Sequence, residues 1–271
     1  MGMIIFTDLD GSLLDHDGYS FEAARPSLER IKQARMPLIL TTSKTRREVE
    51  ALQKALGIND PFIVENGGGI FFPAGYRGFP IPEGRQEAGY TLIQLGVPYE
   101  QIRSFFIALP KEFQARGFGD MSVKNVADLT GLTLDQAVLA KVREFTEPFI
   151  LEREADLEAV ETLAGEKGMK VTRGGRFYHL LGLGQDKGKA VRVVQDIFRR
   201  NSEVSLISIG IGDSENDLPM LQNVDIPVLI PRPRRGYLTV ALPRLIRAKQ
   251  PGSRGWNEAI GRLLDESKGD D

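Results

Sequence analysis

Short apolar runs that stop at polar residues recur near both ends of the chain. The runs at 3–8, 37–41, 62–65 and 204–209 are continuous, not alternating, which predicts strands covered on both faces of a parallel sheet. A further strand is expected over 225–230. Between these runs, apolar residues at helical spacing predict helices over 27–34, 45–56 and 186–199. The second opens with the capping box Thr45-x-x-Glu48 and closes at Gly57. Strands alternating with helices imply right-handed crossovers, a Rossmann-like α/β fold, and ligands held beyond the carboxyl ends of the strands.

The middle of the chain changes character. Segments 90–95, 148–152, 169–173 and 176–181 mix polar and apolar positions, as in a sheet with one wet face. Helices are expected over 99–108 after Pro98, over 134–145 after the capping box Thr133-x-x-Gln136, and over 157–166. The expected organisation is therefore an α/β core from residues 1–82 and 185–271, interrupted by an α+β domain over 83–184. The run from Phe71 to Tyr76 suits a hairpin and is assigned no chemistry.

Composition narrows the chemistry. The 271 residues contain no cysteine, so disulfides, thiolate nucleophiles and cysteine metal sites are excluded. With 35 basic and 37 acidic side chains, the net charge of -2 supplies no field to gather nucleic acid or an anionic membrane. The locally basic stretch with Arg232, Arg234, Arg235, Arg244 and Arg247 is expected to be solvated surface. No apolar run approaches the roughly 20 residues of a membrane span, and no leader pattern opens the chain. A soluble cytoplasmic protein, monomeric or homodimeric, is expected.

Four strand or helix ends offer distinct polar groups. Asp8-Leu-Asp10-Gly-Ser12 sets two carboxylates at a strand end, where a turn through Gly11 lets both face one crevice. Thr42-Ser43-Lys44 places a hydroxyl and a cation at a helix start, a favourable place for an anion. Gly184-Gln-Asp-Lys187-Gly-Lys189 puts a lysine where it opposes a helix dipole, which suggests a partner of opposite charge. Gly210-Ile-Gly-Asp213-Ser-Glu-Asn216-Asp217 brings two acids and an amide to one point, where a cation such as Mg2+ would relieve their repulsion. Each feature alone is as well explained by a cap or a surface turn. Together they supply the nucleophile, proton donor, phosphate clamp and metal site of phosphoryl transfer.

The segments DLDGS, TTSK, DKGK and GDSEND resemble, in order, the four motifs of the haloacid dehalogenase superfamily of phosphatases. The resemblance implies a parallel-sheet core with an inserted C2-type cap. It makes Asp8 the nucleophile of an aspartyl-phosphate and Asp10 the acid and base. Thr42 and Lys187 would hold phosphoryl oxygens. Asp8, the Asp10 carbonyl and Asp213 would bind Mg2+, with Asp217 and Asn216 in support.

Further segments, including Val64-Glu-Asn-Gly-Gly68, Gly117-Phe-Gly-Asp120, Arg143-Glu-Phe-Thr-Glu-Pro148 and Gly175-Arg-Phe-Tyr-His179, are similar to the mannosyl-3-phosphoglycerate phosphatase branch. That branch implies hydrolysis of a mannosylated phosphoglycerate in the synthesis of a compatible solute. Its substrate carries a carboxylate beside the phosphate, for which Lys44, Lys141, Arg143 and Arg176 are the candidate cations, and Ser43 and Gly67 are further candidates for substrate contact. Glu65, Asn66, Asp120 and His179 are candidates for sugar hydroxyls, or alternatively turn and strand residues. Rival readings are a hexose phosphatase, a sucrose-, trehalose- or glucosyl-3-phosphoglycerate phosphatase, a phosphomutase, or a silent sugar-phosphate binder.

Overall fold

The computed structural model describes residues 2–174 and 177–266. The chain begins β1 (Gly2–Thr7), α1 (Arg25–Gln33), β2 (Leu38–Thr41), α2 (Arg46–Leu56), β3 (Phe62–Val64), β4 (Gly69–Pro73), β5 (Arg85–Glu87) and β6 (Tyr90–Gln94). It continues α3 (Tyr99–Ile107), β7 (Arg116–Gly117), α4 (Val123–Thr130), α5 (Leu134–Ala140), β8 (Glu147–Ile150), α6 (Leu157–Glu166), β9 (Met169–Gly174) and β10 (Phe177–Gly182). It ends α7 (Lys187–Arg200), β11 (Leu206–Gly212), α8 (Leu218–Leu221), β12 (Ile226–Leu229), β13 (Ile246–Arg247) and α9 (Gly252–Glu266).

A nine-stranded sheet runs β13-β12-β11-β1-β2-β3-β4-β6-β5. Its strands are parallel from β13 to β3, and β4, β6 and β5 complete it antiparallel. Burial on both faces explains the continuous apolar runs. Ile5 packs with Leu28, Val49 and Trp256 on one face, whereas Ile4 and Phe6 pack with Val191, Val194 and Phe198 on the other. Thr45 caps α2 in the expected box with Glu48, and Gly57 ends that helix in the left-handed conformation.

The second sheet has four antiparallel strands in the order β7-β8-β10-β9. Its core gathers Ile102, Phe106, Phe149, Val160 and Tyr178. Two expectations change here. The strand over 90–95 joins the large sheet beside β4, so the unit built on the second sheet starts after β6 and not at 83. The helix over 134–145 stops at Ala140, because the following residues are drawn out of helical geometry by bonds to the large domain described below. Helices α4 and α9 were not anticipated, although Trp256, Ile260, Leu263 and Leu264 carry a clear helical period.

Among the described residues no helix is long and apolar enough to cross a membrane.

Candidate active site

The carboxyl ends of β1, β2 and β11 and the start of α7 meet in one crevice, as a parallel sheet requires. Asp8 follows β1 directly, and its N–H donates to the Ile211 carbonyl of β11 at 2.8 Å. Gly11 adopts φ +82° beneath it, and a Cβ there would stand 2.8 Å from Asp213 Oδ2. The loops carrying Asp8 and Asp213 can approach this closely only with glycine at that corner.

Lys187 opens α7 and is fully buried, with Nζ donating to Asp8 Oδ1 and to Asp217 Oδ1 at 2.6 Å each. Its place at the positive end of a helix is thereby matched by two anions. Asp217 Oδ2 accepts the N–H groups of Asp213 at 3.0 Å and Ser214 at 3.1 Å, so both its oxygens are held by the protein. Oxygens of Asp8, Asp213 and Asp217 lie within 4.8 Å of one another. When all three acids are ionised, the single lysine leaves the buried cluster with two surplus negative charges.

The electrostatics follow. Burial, and then Asp217, push the Asp8 carboxyl up to about 7 against the pull of Lys187. Burial, Asp217 and Asp8 push Asp213 up to about 8. Burial opposes the charge on Lys187, but Asp217 and Asp8 outweigh it and hold the ammonium well above its ordinary range. Asp213 Oδ1 is buried without a hydrogen-bond partner. A buried acceptor left unmet beside two surplus negative charges suits a divalent cation with oxygen ligands.

The second corner is built by Thr42, whose N–H donates to the Ile63 carbonyl at 3.0 Å and whose Oγ1 accepts the Lys44 N–H at 3.1 Å. Lys44 Nζ lies 2.9 Å from Asp10 Oδ2 and 3.7 Å from Glu48, with the Tyr19 ring centroid 4.9 Å away. Burial works against its charge, but Asp10 and Glu48 outweigh it and keep the ammonium well above its usual range. The Asp10 carboxylate therefore stands with Lys44, apart from the acid cluster at Asp8.

Asn66 adopts φ 57° and links the remaining loops. Its N–H donates to the Thr42 carbonyl at 2.9 Å, and its Oδ1 accepts from Asn216 Nδ2 at 3.1 Å. Gly67 follows at φ +88°, where a Cβ would sit 2.2 Å from the Asp186 carbonyl at the base of Lys187.

Several expected substrate contacts are occupied otherwise. Glu65 is fully buried and accepts from Glu144 N at 2.7 Å, Phe145 N at 3.1 Å and Thr146 Oγ1 at 2.6 Å. It is a strut between the two units and does not face a sugar; burial raises its pKa despite Arg143 and these donors. Arg143 is also buried, with Nη1 donating to the Ser43 carbonyl at 3.2 Å and Nε 3.8 Å from Glu65. Lys141 Nζ donates to the Phe118 and Met121 carbonyls, and burial lowers its pKa. Asp120 is paired with Arg103 and accepts the Gly117 N–H at 3.1 Å. His179 is buried in β10 opposite Pro148 and Thr172. Arg176 lies outside the described residues.

Two participants escaped the sequence reading. Gln185 Nε2 donates to the Glu65 carbonyl at 2.6 Å at the return from the second unit; it stands in the motif read only for Lys187. Tyr19 covers Lys44, and no sequence signal distinguishes it from any loop tyrosine.

This crossover sheet, with Asp8, Lys187, Asp213 and Asp217 joined at its carboxyl end, has the architecture expected of phosphoryl transfer of the haloacid dehalogenase kind. A family profile described as haloacid dehalogenase-like hydrolase matches residues 5–77. The chain is 54% identical over 97% of its length, and 98% of the relative's, to a glucosyl-3-phosphoglycerate/mannosyl-3-phosphoglycerate phosphatase of Persephonella marina. It is 37% identical to a mannosyl-3-phosphoglycerate phosphatase of Pyrococcus furiosus, covering 84% of this chain and 90% of that one. In fold it is similar to the sucrose-phosphatase of a Synechocystis species, with a TM-score of 0.62 at 16% identity over 97% and 99% of the two chains. The chain belongs to the mannosyl-3-phosphoglycerate phosphatase family of haloacid dehalogenase-like hydrolases, and it is a phosphoric monoester hydrolase.

Proposed function

We propose that this phosphatase hydrolyses 2-O-mannosyl-3-phosphoglycerate to mannosylglycerate and phosphate in the cytoplasm, using Mg2+. The observation that carries the chemistry is the buried junction of Asp8, Lys187, Asp217 and Asp213 at the carboxyl ends of the parallel strands. The substrate rests on the two relatives above, both of which act on the mannosyl ester by name. The name of the first also contains the glucosyl ester, which is the second reading.

Asp8 and Asp213, with the Asp10 backbone carbonyl, would hold the cation, and Asp217 would orient Asp213 and Lys187 from behind. The cation supplies charge neutralisation for the phosphoryl oxygens and keeps Asp8 ionised. An Asp8 carboxylate oxygen attacks phosphorus as the bond to the glycerate oxygen breaks, giving an aspartyl-phosphate. Asp10 protonates the departing oxygen, then takes a proton from the water that attacks the same phosphorus and releases Asp8. Thr42 and Lys187 bind the phosphoryl oxygens throughout, and Asn216, fixed by Asn66, lines the same pocket. The unit of the second sheet acts as the cap that excludes water and contacts the sugar.

The test is phosphate release from the mannosyl and glucosyl esters, sucrose phosphate, trehalose phosphate and a hexose phosphate, with Mg2+ or with chelator, by the native chain and Asp8→Asn. Metal-dependent turnover of the mannosyl ester by the native chain alone is expected. Robust turnover by Asp8→Asn, or preference for a simple hexose phosphate, would overturn the proposal. Transfer of phosphate to a second hydroxyl would identify a mutase instead.

A further inference from the structure

We propose that Lys44 reads the carboxylate of the substrate's glycerate moiety and so determines specificity for phosphoglycerate esters. This deepens the function proposed above and rests on it.

Asp10 divides its two oxygens. Oδ2 is held by Lys44 at 2.9 Å, whereas Oδ1 is buried without a hydrogen-bond partner. A buried unmet oxygen next to the nucleophile loop is the position for the ester oxygen that Asp10 must reach. In a 3-phosphoglycerate the carboxylate carbon is three bonds of about 1.5 Å from that oxygen. With the ester oxygen at Oδ1, the carboxylate falls within reach of whatever cation flanks Oδ2. That cation is Lys44.

Among the described residues, the other candidates have partners of their own. Lys187 is shared by Asp8 and Asp217, Lys141 is bound by two carbonyls of its own unit, and Arg143 is buried between the Ser43 carbonyl and Glu65. Lys44 also stands at the seam between the two units. The Tyr19 ring lies against its ammonium, and the Tyr19 hydroxyl donates to the Thr130 carbonyl at 3.3 Å.

Glu48, the other acid near Lys44, does not cancel it for a ligand. Its Oε2 accepts from Thr45 N at 2.9 Å and Thr45 Oγ1 at 3.1 Å, and its Oε1 stands 3.7 Å from Nζ. The start of α2 adds the positive end of a helix dipole on the same side.

The experiment compares mannosyl-3-phosphoglycerate with its carboxamide, which has nearly the same shape but no charge, using the native protein, Lys44→Met and Lys44→Arg. The native protein is expected to favour the acid by about 10- to 100-fold in kcat/KM, the value of one charge-assisted hydrogen bond. Lys44→Met should lose that ratio to within about threefold, and Lys44→Arg should recover most of it. If Lys44→Met is slower on both compounds with the ratio intact, Lys44 only holds Asp10 in place and the inference fails while the proposed function stands. A native protein with no preference for the acid also overturns it. A native protein inactive on both the mannosyl and the glucosyl ester but active on an ester without a carboxylate overturns both.

Discussion

The indole Nε1 of Trp256 donates to Thr7 Oγ1 at 2.9 Å, and that hydroxyl in turn donates to the carbonyl of Asp8 at 2.7 Å. The last described helix is therefore fastened to Asp8, the proposed nucleophile. Trp256 is fully buried among Leu28, Ile31 and Ile260.

Trp256→Phe keeps most of the packing and loses the hydrogen bond, so it should cost about 1 kcal/mol of stability. Trp256→Ala opens a cavity against the sheet and should cost about 3 to 5 kcal/mol. Urea denaturation of the three proteins measures both, and equal effects would show that the hydrogen bond and not the packing matters.

Lys187→Met leaves Asp8 and Asp217 facing each other without a counter-charge. It should lower kcat by about 100- to 1,000-fold. Metal-free stability should fall by about 3 to 5 kcal/mol, the usual result of removing one partner from a buried pair. Steady-state kinetics and denaturation in chelator give the two figures. A variant with native kcat would remove Lys187 from the phosphate clamp.

Metal removal should make stability pH-dependent with a defined sign. Asp8 and Asp213 have pKa values raised to about 7 and about 8, above their unfolded values. The native state thus binds more protons than the unfolded one over this range, so stability is fullest in acid and falls as pH rises through about 7 to 8. In chelator the melting temperature should decline from about pH 4 to about pH 8 and level off above, where both carboxyls are ionised in the folded and unfolded states alike. Mg2+ should raise it most at the alkaline end, where the carboxylates are ionised. A Mg2+-induced shift that shrinks with rising pH would contradict this assignment.

Gly67→Ala combines a left-handed φ of +88° with a Cβ 2.2 Å from the Asp186 carbonyl. It should destabilise by about 1 to 3 kcal/mol and displace the start of α7, lowering kcat as well. Native kinetics in a folded Gly67→Ala protein would show that Lys187 does not depend on this close approach.

Glu65→Gln replaces one carboxylate oxygen with a donor facing donors from Glu144, Phe145 and Thr146. A cost of about 1 to 3 kcal/mol is expected, with faster amide exchange confined to residues 139–146. Protection there equal to native would deny Glu65 its role as a strut.

The core was legible because its signals are local. A strand buried on both faces must be apolar throughout, and catalytic groups at strand ends must sit beside the turns that expose them. Met3 to Asp8 and the capping box at Thr45 show both. The second unit was less legible, since strands with mixed patterning do not declare which sheet they join. Residues 90–94 carry a pattern that suits either sheet, and their pairing with β4 is settled by neighbours far along the chain.

The class of chemistry is expected from the order and types of residues, since Asp8, Asp10, Thr42, Lys187 and Asp213 together point to phosphoryl transfer before any coordinate is known, and the relatives are phosphatases. Which cations remain available to a substrate was decided only by folding. Lys44, Lys141 and Arg143 are equivalent as side chains in a sequence. Only the packed structure turns Lys141 to the Phe118 and Met121 carbonyls and Arg143 to Ser43 and Glu65, while setting Lys44 against Asp10. The physical reason is that the groups a charge meets, and whether they lie beside the nucleophile loop or away from it, are set by contacts between residues distant in the chain.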